Sequence, residues 1–145
     1  MKAYKLLLSI SFLSALLFIG ACTTDPAPDP EDEYLKKISS TWRIASAQLD
    51  GKEVTGSFPQ LTLTLNGDHT YSTTHSVGKI WPASGSFTLV ATSTDGMYNI
   101  NRNDGVLLTV ADLTATSIKL RFQYTAPPNG RENSVSGQYE FVFNK

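Results

Sequence analysis

The sequence predicts an all-β fold: an eight-stranded antiparallel up-and-down barrel preceded by a short helix. Three observations carry that prediction. Beyond Ser40, apolar residues recur at alternate positions, the pattern of strands with one buried face. Turn signals such as Asp50-Gly51, Asn66-Gly67 and Asn103-Asp104-Gly105 separate the runs at hairpin spacing. Thr, Ser, Gly and aromatic residues dominate, and long runs of helix formers are missing. Consecutive hairpins leave two exposed edges, which are removed together if the first strand meets the last. Eight strands enclose an interior that side chains nearly fill, with room for one small ligand at most. A β-sandwich with Greek-key crossings has the same strand count and is the alternative.

The chain opens differently. Lys2 and Lys5 give a positive start, and Leu6 to Ile19 run without a charge. That run is shorter than the roughly 20 apolar residues a membrane-spanning helix needs, and it has the parts of a secretory signal. Ile19-Gly20-Ala21-Cys22 matches a bacterial lipobox, a branched apolar residue and two small ones before a cysteine. The expectation is a signal peptide over residues 1–21, cleavage before Cys22, and acylation of that residue. Cys22 is the single cysteine, so no disulfide can form within the chain. Each buried acyl methylene contributes about 0.8 kcal/mol, so two or three chains would hold the protein to a membrane.

Residues 22–33 read as the lipidated cysteine and its tether. Pro26, Pro28 and Pro30 at alternate positions favour an extended, solvated segment. At about 3.1 Å per residue it would lift the domain a few nanometres at most from the lipid. Asp29-Pro30 followed by Glu31, Asp32 and Glu33 is a helix start: a capping carboxylate, proline in the first position, then negative charge in the first turn. Tyr34, Leu35 and Ile38 share one face of that helix, which is expected to close one end of the domain.

The barrel is expected over 34–145. Trp42 and Ile44 carry the first apolar phase, and Ala47 and Leu49 carry it on the other parity, so a bulge is expected near Ser46. Leu61, Leu63 and Leu65 form the next strand, and the chain returns through Tyr71 and Thr73. Gly85, Phe87 and Leu89 follow, then Tyr98 and Ile100, then Leu108 and Val110. Ile118, Leu120, Phe122 and Tyr124 alternate with Lys119, Arg121 and Gln123, the strongest amphipathic strand in the chain. Tyr139, Phe141 and Phe143 supply the last inward set.

Several segments together resemble the lipocalin-like lipoproteins of the Bacteroidota, a family of unknown function. Ser40-Thr41-Trp42-Arg43 is similar to the family's Gly-x-Trp-Lys/Arg opening. Leu63-Thr64-Leu65-Asn66-Gly67-Asp68-His69-Thr70-Tyr71 is similar to its strand, Asn-x-Asp-Gly turn and Thr-Tyr. Trp81-Pro82-Ala83-Ser84-Gly85-Ser86-Phe87 and Val135-Ser136-Gly137-Gln138-Tyr139 resemble later segments. The acids after Cys22 resemble the tract that marks surface-exposed lipoproteins of the same bacteria. The resemblance implies a small barrel with Trp42 packed across its closed end and no settled activity. Two departures are Ser40 in place of the opening glycine and His69 in place of the turn glycine. The second places His69 in left-handed backbone geometry.

From Tyr34 onward, 10 basic side chains face 8 acidic ones, with no basic stripe, so nucleic acid is not an expected partner. His69 and His75 lack a third ligand at a metal spacing and read as turn and loop residues. Asn99, Asn101, Asn103 and Asp104 faintly resemble a calcium loop, but Asp104 stands at the sixth position where glycine belongs. No Gly-x-Ser-x-Gly elbow is present, and the inward parity holds almost no acids or bases, so no enzyme, cofactor or metal is expected. Glu140, Arg121 and Lys119 fall on the outward parity.

Two longer connections, 74–84 and 124–135, hold apolar residues that either plug the barrel or line its mouth. At a mouth, Trp81 and Tyr124 would stack on an apolar or glycan-like ligand, with Arg131 as an anionic anchor. The large inward residues favour a filled interior. The expected protein is therefore a lipid-anchored, non-catalytic module of the cell envelope, held at the outer membrane on its periplasmic face or at the cell surface. The rival is a carrier of a small ligand at the barrel mouth.

Overall fold

The computed structural model describes residues 27–127 and 135–145. Cys22 and Arg131 lie outside them, so the lipidation and anion-anchor expectations are not addressed by the fold. The first element among the described residues is the helix α1 (Pro30–Ile38), which starts inside the segment counted above as tether. Its cap is the one the sequence implied: the Asp29 carboxylate accepts a hydrogen bond from the Glu31 amide at 2.9 Å. Acids occupy the first turn and Lys36 and Lys37 the last, matching the helix dipole at both ends. Tyr34, Leu35 and Ile38 are buried against the sheet. Among the described residues no helix is long and apolar enough to cross a membrane.

Nine strands follow: β1 (Ser40–Leu49), β2 (Lys52–Glu53), β3 (Thr62–Leu65), β4 (Thr70–Thr74), β5 (Ser84–Ala91), β6 (Tyr98–Arg102), β7 (Leu107–Leu113), β8 (Ser117–Tyr124) and β9 (Gly137–Asn144). All pairings are antiparallel between sequence neighbours, apart from β1–β3 and the closing pair β1–β9. Eight strands make the closed barrel. The ninth, β2, is a two-residue spur on the end of β1, formed because Asp50 (φ 49°) and Gly51 (φ 77°) turn the chain tightly back. Closure by β1–β9 excludes the sandwich alternative.

β1 serves two neighbours, and its phase slip is what lets it. Its first half pairs with β3, Trp42 opposite Leu63. Its second half pairs with β9, Ala47 opposite Phe141, and the register shifts between Ile44 and Ser46. The expected bulge therefore sits in the strand that closes the barrel. Inward positions agree with the alternation: Leu61, Leu63, Leu65, Tyr71, Phe87, Ile100, Leu108, Val110, Ile118, Leu120, Phe122, Tyr124, Tyr139, Phe141 and Phe143 are all buried. His69 adopts φ 63°, the left-handed geometry expected of a residue in a glycine's place.

Gly85 is the inward residue of β5 opposite Tyr71. The phenol ring lies directly over it, so a methyl group there would come within 2.7 Å of the ring and 2.6 Å of the Asn103 side chain. Gly85→Ala should therefore destabilise the barrel by about 1–3 kcal/mol through overpacking. A lowered urea midpoint with an unchanged slope checks it, and an unchanged midpoint would mean that Tyr71 swings aside freely.

Candidate functional site

The β4–β5 connection decides what the barrel can do. Thr73 fastens its far end: its amide donates to the Ala83 carbonyl at 2.8 Å and its hydroxyl to the Pro82 carbonyl at 2.7 Å. Between these ties, the Trp81 amide donates to the Val77 carbonyl at 3.2 Å, folding the loop on itself. That fold drives two side chains inward, Ile80 at 3 % exposure and Trp81 at 0 %. Trp81 is not at an open mouth, which corrects its expected place as a ligand-stacking residue. The apolar content of the loop is buried more favourably against the core than in water.

The receiving surface is a wall of rings. Tyr139, Phe141 and Phe143 share the inner face of β9, with centroids 5.8 and 5.9 Å apart. Phe122 on β8 stacks on Phe141 at 5.7 Å. Trp81 meets Phe122, Phe141 and Phe143 edge-on at 5.3–5.6 Å, the T-shaped arrangement aromatic quadrupoles favour. From another side, Phe58 meets Phe141 edge-on at 4.8 Å. The space a ligand would occupy holds side chains.

Among the described residues one buried side chain is charged. Arg102, 2 % exposed, ends β6 on the same parity as Tyr98 and Ile100. All three of its guanidinium nitrogens donate: Nε to Asp104 at 3.1 Å, Nη1 to the Ile80 carbonyl at 2.8 Å, and Nη2 to the Lys79 carbonyl at 3.3 Å and to Asp104. Its carbon lies 5.6 Å from the Trp81 centroid, 5.9 Å from Tyr71 and 6.0 Å from Phe122. Arg102 thus latches the plug loop to the β6–β7 turn. The alternation after Tyr98 pointed it inward, but nothing local named its partners, which are 22 and 23 residues away. Asp104, in the calcium-like stretch, is the latch's anion, and Asn99 accepts from the Val110 amide at 3.2 Å.

Tyr124 is 5 % exposed and packs on Tyr139, so it too lies in the core rather than at a mouth. Among the described residues, neither Trp81 Nε1 nor Tyr124 Oη has a hydrogen-bond partner. Trp42 is fully buried and donates from Nε1 to the Ile38 carbonyl at 2.8 Å, joining α1 to the barrel floor. His69 Nε2 lies 3.8 Å from Glu31, and among the described residues no three His, Cys, Asp or Glu side chains converge as a metal site. Outside the barrel, Glu140 pairs with Arg121 and with Lys119, the latter at 3.5 Å.

Removing Trp81 would empty the centre of the ring wall. Trp81→Ala should cost about 3–5 kcal/mol of folding stability, the range for large-to-small changes in a core. A variant as stable as the parent in urea would show that the loop is a detachable lid. Burial pushes the Asp104 carboxyl up, but the hydrogen bonds and charge of Arg102 outweigh it and hold the group below its usual 3.8. A carboxylate depressed in the folded state stabilises the fold above its unfolded pKa and loses that contribution as pH falls through the folded value. The stability gap between the parent and Asp104→Asn should therefore be widest near neutral pH and narrow below about pH 4. A gap independent of pH would refute the latch.

No protein-family model, curated protein or solved structure significantly matches this chain.

Proposed function

We propose that the chain is a lipid-anchored protein of the cell envelope whose non-catalytic barrel acts as an interaction or structural module through its outer surface. The observation that carries the reading is the plug. Trp81 and Ile80 are buried in the core, Trp81 against Phe122, Phe141 and Phe143, and Arg102 ties their loop to the wall. A carrier would need that volume for its cargo, so the carrier reading has less support. Acid–base catalysis in the interior also has little to work with. Arg102 is held by an anion and two carbonyls, and the Tyr34 hydroxyl, pushed up to about 12 by burial, is engaged with the Tyr98 carbonyl.

The anchor half of the proposal rests on residues 1–22, where a charged start and an apolar stretch lead to Ile19-Gly20-Ala21-Cys22. The acidic, proline-rich run after it is the spacer between the lipid and α1. The outer membrane of a two-membrane envelope is the proposed site.

Expression of the full chain in a two-membrane bacterium with labelled palmitate tests the anchor. The parent should take up label and sediment with membranes, and Cys22→Ala should do neither. An unlabelled, freely soluble parent product would overturn the proposal.

A further inference from the structure

The helix-capped end of the barrel carries a hollow of about 550 Å³, within the range of roughly 300–1,000 Å³ typical of small-molecule sites. Tyr34, Met97 and Leu113 give it an apolar floor, and Lys36, Lys37 and Lys145 stand around it. The lysines come from opposite ends of the folded chain. The first two lie in the last turn of α1, where the helix dipole favours cations. Lys145 is held by its amide, which donates to the Thr116 carbonyl at 2.9 Å, and its ammonium lies 4.7 Å from the centre of the Trp42 ring.

Among the described residues no Asp or Glu carboxylate lies within 4.0 Å of any of these three ammonium groups, although three Arg or Lys pairs with carboxylates form elsewhere. No Asp or Glu lines the hollow; Asp95 and Asp112 are chain neighbours of lining residues but not part of it. Asp32 and Glu33 stand one helical turn before Lys36 and Lys37 but do not line this hollow. Three ammonium groups bordering one hollow with no direct ion pair make its rim positive, and an anion placed among them is attracted. A bare anion would leave the floor wet. The Tyr34 hydroxyl donates its only proton to the Tyr98 carbonyl at 2.8 Å, so it has no donor left for an anion.

We propose that this hollow binds an anionic amphiphile: an acyl or aryl group, seated on Tyr34, Met97 and Leu113, that carries a phosphate or carboxylate to Lys36, Lys37 and Lys145. This deepens the proposed function by naming a ligand class for the outer surface, and it does not require the barrel to open. The same chemistry is offered by a free amphiphile and by a lipid headgroup with its proximal chain.

Titration calorimetry with the full chain carrying Cys22→Ser tests the site, and the loss of the acylated thiol keeps its outcome separate from that of the anchor. Dodecyl phosphate below its micellar concentration should bind one to one, and neutral decyl glucoside and inorganic phosphate at least about tenfold more weakly. Lys36→Glu/Lys37→Glu, which alters two exposed side chains, should weaken dodecyl phosphate by a similar factor. Ala115→Trp, which fills the hollow with the charges intact, should do the same. Vesicles distinguish the source. Binding to phosphatidylglycerol but not phosphatidylcholine, lost in the double variant, assigns a headgroup; dodecyl phosphate binding without vesicle binding assigns a free amphiphile. No binding of dodecyl phosphate, or equal binding by the parent and both variants, would overturn the proposal.

Discussion

The pairing of β1 with β9 is the constraint on which the rest of this structure depends. It joins the two ends of a meander into a ring and leaves no long unpaired edge for another chain to extend. It also defines an inside. A strand whose inner face looks across a closed barrel is covered by the strands opposite, so its inward apolar residues are buried or, as at Ile44, Leu49, Leu89 and Tyr98, partly buried against the core. The bulge between Ile44 and Ser46 lets a single strand meet β3 with one half and β9 with the other. Without that extra residue, Trp42 and Ala47 could not both face inward.

A closed barrel still has two ends, and this chain covers them by different means. At one end α1 lies over the opening, and Trp42 donates to the last carbonyl of its buried face. At the other, the β4–β5 loop sends Trp81 into the barrel against Phe122, Phe141 and Phe143. The second solution needs Arg102. Burying a guanidinium is unfavourable unless its donors are met, and here an acid, two loop carbonyls and three ring faces meet them. Those two carbonyls belong to the plug, so satisfying the charge and seating the loop are one event.

The interior is filled with side chains, and the exterior is unevenly charged. Along α1 the first turn is acidic and the last basic, which gives the helix-capped end two electrostatic halves. The acidic half lies at the start of the helix. The basic half gains Lys145 and surrounds the hollow floored by Tyr34, Met97 and Leu113. Amphipathic chemistry on one side of a lid whose underside is barrel core is compatible with a rigid, filled scaffold, because binding there displaces no buried side chain.

Much of this fold was legible in the residues themselves. Period-two runs such as Ile118 to Tyr124 placed the strands, since inward and outward positions must alternate in a pleated chain. Asp29-Pro30 located the helix start, Asp50-Gly51 and Asn103-Asp104-Gly105 the turns, and the parity change near Ser46 the bulge, all through local backbone chemistry. Local rules could not say whether Trp81 and Tyr124 face a ligand or the core, because apolar loop residues look the same in both roles. Tertiary structure decided that, along with the partners of Arg102 and the convergence of Lys36, Lys37 and Lys145. Each depends on contacts between residues far apart in the chain, and no periodicity along a chain encodes which distant segment will be waiting across the barrel.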